Sequence, residues 1–294
     1  MKLKIGKIQI LLIAAVAIFH PQSAMAGEQK FSSPEKAVQS LIEAIKSSDA
    51  PAALEKLFGK EEKDLWTSGD RAADEAGKKR FLQRISEKQN VVAVDADHSI
   101  LYAGNDGWSF PVPLVKTGKD WSFDLKTGRE EVLNRRIGAN ENDAIEAAKD
   151  YVRAQKEYAQ KDHDGDGVAS YAQKFVSDPG QKNGLYWPAQ DPQDVSPVGT
   201  AITEKATMVS GKDGASLLLY HGYYFQILPP KGKVATQEPV LIAYPATWGN
   251  SGVMSFLVDS NGSLLQKDFG KDTEKAASQS KDWTPDKSWK AVGA

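Results

Sequence analysis

The densest set of chemically capable side chains in the chain is the run Asp162-His163-Asp164-Gly165-Asp166-Gly167-Val168, continued by Ser170 and Gln173. Carboxylates at every second position, followed by glycine, aim oxygens at one point from a tight loop. This is the first half of an EF-hand calcium loop. Val168 would add its carbonyl, and Ser170 an oxygen reached directly or through water. Gln173 stands where such a loop carries a bidentate glutamate, so one charge and one oxygen are lost. The expected cofactor is therefore calcium, held weakly by Asp162, Asp164, Asp166, Val168, Ser170 and Gln173. The plainer reading is a solvated acidic turn after a helix.

Three other groupings offer chemistry. Glu130, Glu131, Arg135 and Arg136 form a charged helical turn. It reads as an anion clamp or an acid pair in a cleft, or as a surface salt bridge with i,i+4 spacing. Tyr186, Trp187, Tyr220, Tyr223, Tyr224, Phe225, Tyr244 and Trp248 crowd the second half. They would serve a platform for sugar rings or a peptide, or cross-strand packing. His98, His163 and His221 are isolated, without the paired spacing of a zinc site. The absence of cysteine excludes thiolate nucleophiles, iron–sulfur clusters and thiolate zinc sites. No P-loop, G-x-S-x-G or G-x-G-x-x-G run is present.

These groups need a scaffold, and the amino terminus says where it is built. Lys2, Lys4 and Lys7 precede an apolar run from Ile8 to Phe19, and Ala24-Met25-Ala26 follows. A basic head, a short apolar middle and an A-x-A site make a secretory signal peptide over residues 1–26. The apolar run is too short to span a bilayer, which takes roughly 20 residues. Cleavage would leave Gly27 first, and the expected location is periplasmic or secreted. The chain has 37 basic and 39 acidic residues, a net of -2. Loss of the three leader lysines makes the mature chain more acidic still. Nucleic acid is not an expected partner, since that takes a basic stripe.

The expected fold class is α+β, with helices packed on antiparallel sheets in two halves. Residues 27–138 hold three helical patterns, 34–46, 50–58 and 71–87, then short β pieces divided by the turns Gly104 to Gly107 and Thr117 to Asp120. That element order resembles the cystatin-like cone of the nuclear-transport-factor-2 type. Residues 139–270 begin with a long helix from about Glu141 to Gln160. The acidic loop, a loop-rich stretch over 177–216 and an antiparallel block from Ser216 to Lys267 follow. Residues 271–294 read as a polar tail that Trp283 and Trp289 could dock.

The motifs Phe110-Pro-Val-Pro-Leu-Val-Lys116, Gly128 to Gly138, Tyr158 to Gln173, Gly184-Leu-Tyr-Trp-Pro188, Gly222-Tyr-Tyr-Phe225 and Gly252-Val-Met-Ser-Phe256 carry a resemblance. Together with Tyr244-Pro245 and Gln266 to Gly270 they resemble the uncharacterised bacterial exported family "domain of unknown function 2950". The resemblance spans nearly the whole mature chain. It implies an exported protein and brings no activity or catalytic residues. The last block also resembles the sheet of pilin-type head domains, although the chain carries no pilin processing site.

Two functions are expected from these readings. The first is an exported envelope protein that is not an enzyme, a binding or assembly factor whose partner is an envelope protein or a cell-wall component. The alternative is a periplasmic hydrolase using carboxylates or a metal in the inter-domain cleft, with Glu130, Glu131 or Asp166 as its acids.

Overall fold

A computed structural model describes residues 29–67, 71–163, 165, 167–189, 191, 194–199, 206–211, 214–228, 239–259, 261–279 and 285–293. The leader expected over residues 1–26 lies outside them. The class is α+β, and the chain divides into two compact units, one ending at Gly128 and one beginning at Arg129.

The first unit opens with α1 (Pro34–Lys46), α2 (Ala50–Phe58) and α3 (Arg71–Glu87). Ser33 caps α1 by accepting from the Lys36 amide at 3.3 Å, and Pro34 fills its first position. Asp49 caps α2 through the Ala52 amide at 3.1 Å. Five strands follow: β1 (Gln89–Ala93), β2 (His98–Ala103), β3 (Trp108–Ser109), β4 (Leu114–Thr117) and β5 (Asp120–Phe123). They pair antiparallel in the order β1-β2-β4-β5, with β3 also on β2. The run Trp108 to Val115 reads as one β piece in sequence and is two strands here. Pro111 and Pro113 interrupt it, since proline donates no ladder hydrogen bond. Leu41, Leu101 and Leu114 are 1 % exposed and join the aromatic cluster of Phe58, Phe81 and Phe123 in one core. Each such side chain contributes about 1.5–3 kcal/mol by burial.

Helix α4 (Leu125–Tyr158) starts in the first unit's last residues and forms the opening of the second. It begins well before the expected Glu141. Gly128 and Gly138 are both helical, and the division expected at 138/139 falls within α4. Gly128 is required by contact: a Cβ there would sit 2.7 Å from the Val112 methyls.

The second unit is a seven-stranded meander. Its strands are β6 (Thr207–Ser210), β7 (Ser216–Tyr220), β8 (Tyr223–Leu228), β9 (Val240–Pro245), β10 (Met254–Val258), β11 (Leu264–Asp268) and β12 (Lys290–Ala291). Each pairs antiparallel with its sequence neighbour. Side chains alternate across the sheet. Tyr223, Phe225, Leu241, Ala243 and Phe256 face a core shared with α4 residues Ala148, Tyr151 and Val152. Leu228, Ile242, Tyr244 and Leu257 face the other way, toward Ala277 and Trp289. Residues of the expected polar tail at 271–294 lie on that second face, where Trp289 docks them. Helix α5 (Thr273–Gln279) buries Ala277, and β12 extends the sheet beyond β11. Trp289 is 8 % exposed and packs edge-on against Phe269 at 5.6 Å.

Candidate functional site

The acidic loop begins one turn beyond α4. Asp162 accepts from the Gly165 amide through Oδ1 and from the Gly167 amide through Oδ2, both at 2.8 Å. Gly165 and Gly167 have φ of 79° and 87°, so the backbone winds tightly round this one carboxylate. Asp164 and Asp166 lie outside the described residues. Val168 is exposed and Ser170 half-buried, while the exposed Gln173 donates its amide to the Tyr171 carbonyl at 3.0 Å. Among the described residues no three His, Cys, Asp or Glu side chains group to hold a metal.

The other expected residues scatter. Arg135 pairs with Glu131 at 2.7 Å along α4, and Arg136 donates to Asn250 at 3.0 Å. Glu130 is exposed. The aromatic set does not form one platform. Trp187, Tyr223, Phe225 and Tyr244 are buried, and they divide between the two faces of the sheet. His98 pairs with Asp95 at 2.8 Å beside the β1–β2 turn. His163 stacks on Tyr158 at 4.2 Å, and burial lowers its pKa. A polar cavity of about 530 Å³ lies beside it, lined by Lys161, Lys182, Trp187 and Asp194 among others. Three of its groups engage one another: Asp194 accepts from Lys182 at 2.6 Å and from Trp187 Nε1 at 3.0 Å.

The geometry with the clearest capacity for a ligand is a groove of about 260 Å³ in the second unit. Its floor is carbon-rich, drawn from Ala147 and Tyr151 of α4, Phe175 and Leu185 of the loop-rich stretch, and Leu218 and Phe225 of the sheet. The loop-rich wall is held by Gln155, which is 1 % exposed. Its amide donates to the Ala172 carbonyl at 2.8 Å and accepts from the Ala172 amide at 3.0 Å. Burial raises the Tyr151 pKa strongly, against the lowering effect of Gln155, which donates to its hydroxyl at 3.1 Å. The rim is acidic, with Asp143, Glu146 and Asp150 one and two turns apart on α4.

The β7–β8 hairpin supplies the rest of the rim. His221 and Gly222 both have positive φ, 45° and 75°, as a two-residue type I′ turn requires. This turn places His221 against the Asp143 carboxylate and stacks it on Tyr220 at 4.0 Å. Tyr220 lines the groove, and its pKa is raised first by burial and then by the charges of Asp143 and Asp150. Sequence reading picked out Tyr220 and Phe225 but missed Asp143, Glu146 and Asp150. The signal was there: three acids on one face of α4, beside the apolar positions Ala144, Ala148 and Tyr151.

Residues 28–292 match the family described as "Protein of unknown function (DUF2950)". No curated protein and no solved structure matches the chain. The likeness of the first unit to a cystatin-like cone thus rests on element order alone.

Proposed function

Because the chain belongs to the DUF2950 family, whose description assigns no activity, we propose from its own residues that it is an exported, non-enzymatic binding factor of the cell envelope. The observation that carries the reading is the groove of the second unit. A concave surface, mostly apolar with a few polar groups at its mouth, is the common form of a small-ligand site. At about 260 Å³ it lies just below the usual 300–1,000 Å³ of sites for drug-sized ligands, which suits a smaller guest. The test is calorimetry with eight-carbon probes carrying neutral, cationic or anionic heads. At least one is expected to bind saturably at one site, and Ala147→Trp, which fills the floor, is expected to abolish it. If none of the three binds, the reading is wrong. Among the described residues no helix is long and apolar enough to cross a membrane.

Export is supported by Lys2, Lys4, Lys7, the apolar run to Phe19 and Ala24-Met25-Ala26. Mass spectrometry of the protein from its native host is expected to find Gly27 as the first residue. Recovery of an intact leader in the cytosolic fraction would refute it.

Calcium at the Asp162 loop is the second component of the proposal. Asp162 accepts two backbone hydrogen bonds that fix its carboxylate within the loop, and an ionised carboxylate offers about four acceptor sites in all. With glutamine in place of the final glutamate, the affinity belongs at the weak, extracellular end, Kd about 10⁻⁴–10⁻³ M. Binding only to the folded state adds roughly 1 kcal/mol at a few times Kd. A small rise in Tm is therefore expected in millimolar calcium, smaller in magnesium and absent in Asp162→Ala. An unchanged Tm in ~10 mM calcium would leave only a solvated turn.

A further inference from the structure

We infer that the groove of the second unit selects small cationic amphiphiles, an alkyl or aryl chain ending in an ammonium or guanidinium group. The inference rests on the reading of the groove as a ligand site and specifies which chemistry enters it.

Among the described residues the lining carries three carboxylates, Asp143, Glu146 and Asp150, against one cation, Arg153. All of these lie on α4, at the mouth above the floor residues Ala147 and Tyr151. An apolar tail placed on that floor therefore sets its head group among the acids. The acids have partners, but weak ones. Glu146 pairs with Lys149 at 2.7 Å and Asp150 with Arg153 at 2.9 Å, with every one of these side chains more than half exposed. Exposed pairs of this kind are worth about 0–1 kcal/mol, so a ligand cation can displace them at small cost. Asp143 pairs with a histidine, His221, on an exposed contact.

The aromatic groups reinforce the sign. Tyr220 lies in the lining beside Asp143 and Asp150, and both carboxylates act on its hydroxyl. His221 covers one face of the Tyr220 ring, so the pull on a cation there comes chiefly from the two carboxylates. The same pair of carboxylates repels an anionic head. A neutral head gains neither term.

The size argues for a small molecule. The volume is too small for a helix, about 10 Å across with its side chains.

The experiment compares octylammonium, 1-octanol and octanoate by calorimetry on the full mature chain at pH 7.5 and low salt. At that pH the amine is charged and the acid ionised, as lysine and glutamate side chains are. Octylammonium is expected to bind at least about tenfold tighter than octanol, and octanoate weakest. Asp143→Asn combined with Asp150→Asn should cut the preference for octylammonium over octanol to about threefold or less. Raising the ionic strength to 1 M, where the Debye length is about 3 Å, should narrow the preference in the wild type. Ala147→Trp should remove all three ligands. If that variant does not fold, Val198→Trp fills the same groove from the opposite wall. Equal affinities for the three probes, or a preference for octanoate, would overturn the charge selection while leaving a ligand groove in place. No binding by any probe would overturn both.

Discussion

Gly252→Ala is expected to unfold the second unit or to leave it far less stable, at a cost above about 3 kcal/mol, beyond the ordinary range for overpacking. Gly252 follows the turn before β10, and it bridges to Trp248. A Cβ built there would lie 2.0 Å from the Tyr223 hydroxyl oxygen and 2.5 Å from the ring carbon that bears it. Tyr223 cannot step aside. It is fully buried, packs on Phe256 at 5.9 Å, and donates its hydroxyl to the Met254 carbonyl at 2.8 Å. The backbone around Gly252 is pinned as well. Glu141 accepts from the Val253 and Met254 amides at 2.9 and 3.0 Å, and Asn140 donates to the Ser251 carbonyl at 2.8 Å. Urea denaturation followed by circular dichroism measures the loss. Adding Tyr223→Phe removes the nearest atom but not the next ring carbons, so a partial rescue is expected, with a coupling of about 0.5–3 kcal/mol. A Gly252→Ala variant with wild-type stability would show that the turn does not approach Tyr223 as described.

Gln155→Ala is expected to cost about 4 kcal/mol, from two or three buried polar groups left unpaired at about 1–3 kcal/mol each, with some relief from water entering. The lost partners are the Ala172 amide, the Ala172 carbonyl and the Tyr151 hydroxyl. The effect should be local before it is global. Amide exchange near Ala172 is expected to accelerate most. Binding of octylammonium should weaken as well, because Phe175 and Leu185 stand in the groove wall that this clamp holds. Gln173→Ala is the control: its side chain is exposed, and a change within about 0.5 kcal/mol is expected. If the two glutamine variants lose equal stability, the clamp is not what holds the wall.

Much of the local structure was legible. The caps Ser33 and Asp49, the turn at Gly118 and the turn from Asp259 to Gly262 are decided by residues close in sequence, and each appears where its signal stands. The missed elements lacked such signals. Strand β6 reads Thr-Met-Val-Ser, with no buried alternation, and exists because β7 offers it a free edge. Strand β12 is two exposed residues carried into register by Trp289. The start of α4 was hidden by two glycines, which lower helix propensity but do not forbid a helix whose one face is buried.

The sequence by itself determined the composition-level exclusions, the basic and then apolar run over residues 2–19, the helical and β periods, and the glycine-bearing acidic loop, because each rests on residue types or on residues within a few positions of one another. Only the tertiary structure decided which of the aromatics line the groove. A period of two assigns Tyr223, Tyr224 and Phe225 to alternating faces, but it does not say that both faces of the sheet are covered. Nor does it say that Tyr220 meets Asp143 and Asp150 from a helix some seventy residues away in the chain (on the order of the separation that makes such contacts a matter of topology). The three acids look like solvated helix surface in sequence, as most helical acids are. Packing one edge of α4 beside an unfilled stretch of apolar sheet turns them into the mouth of a groove, and that adjacency is a property of the fold, not of any local run of residues.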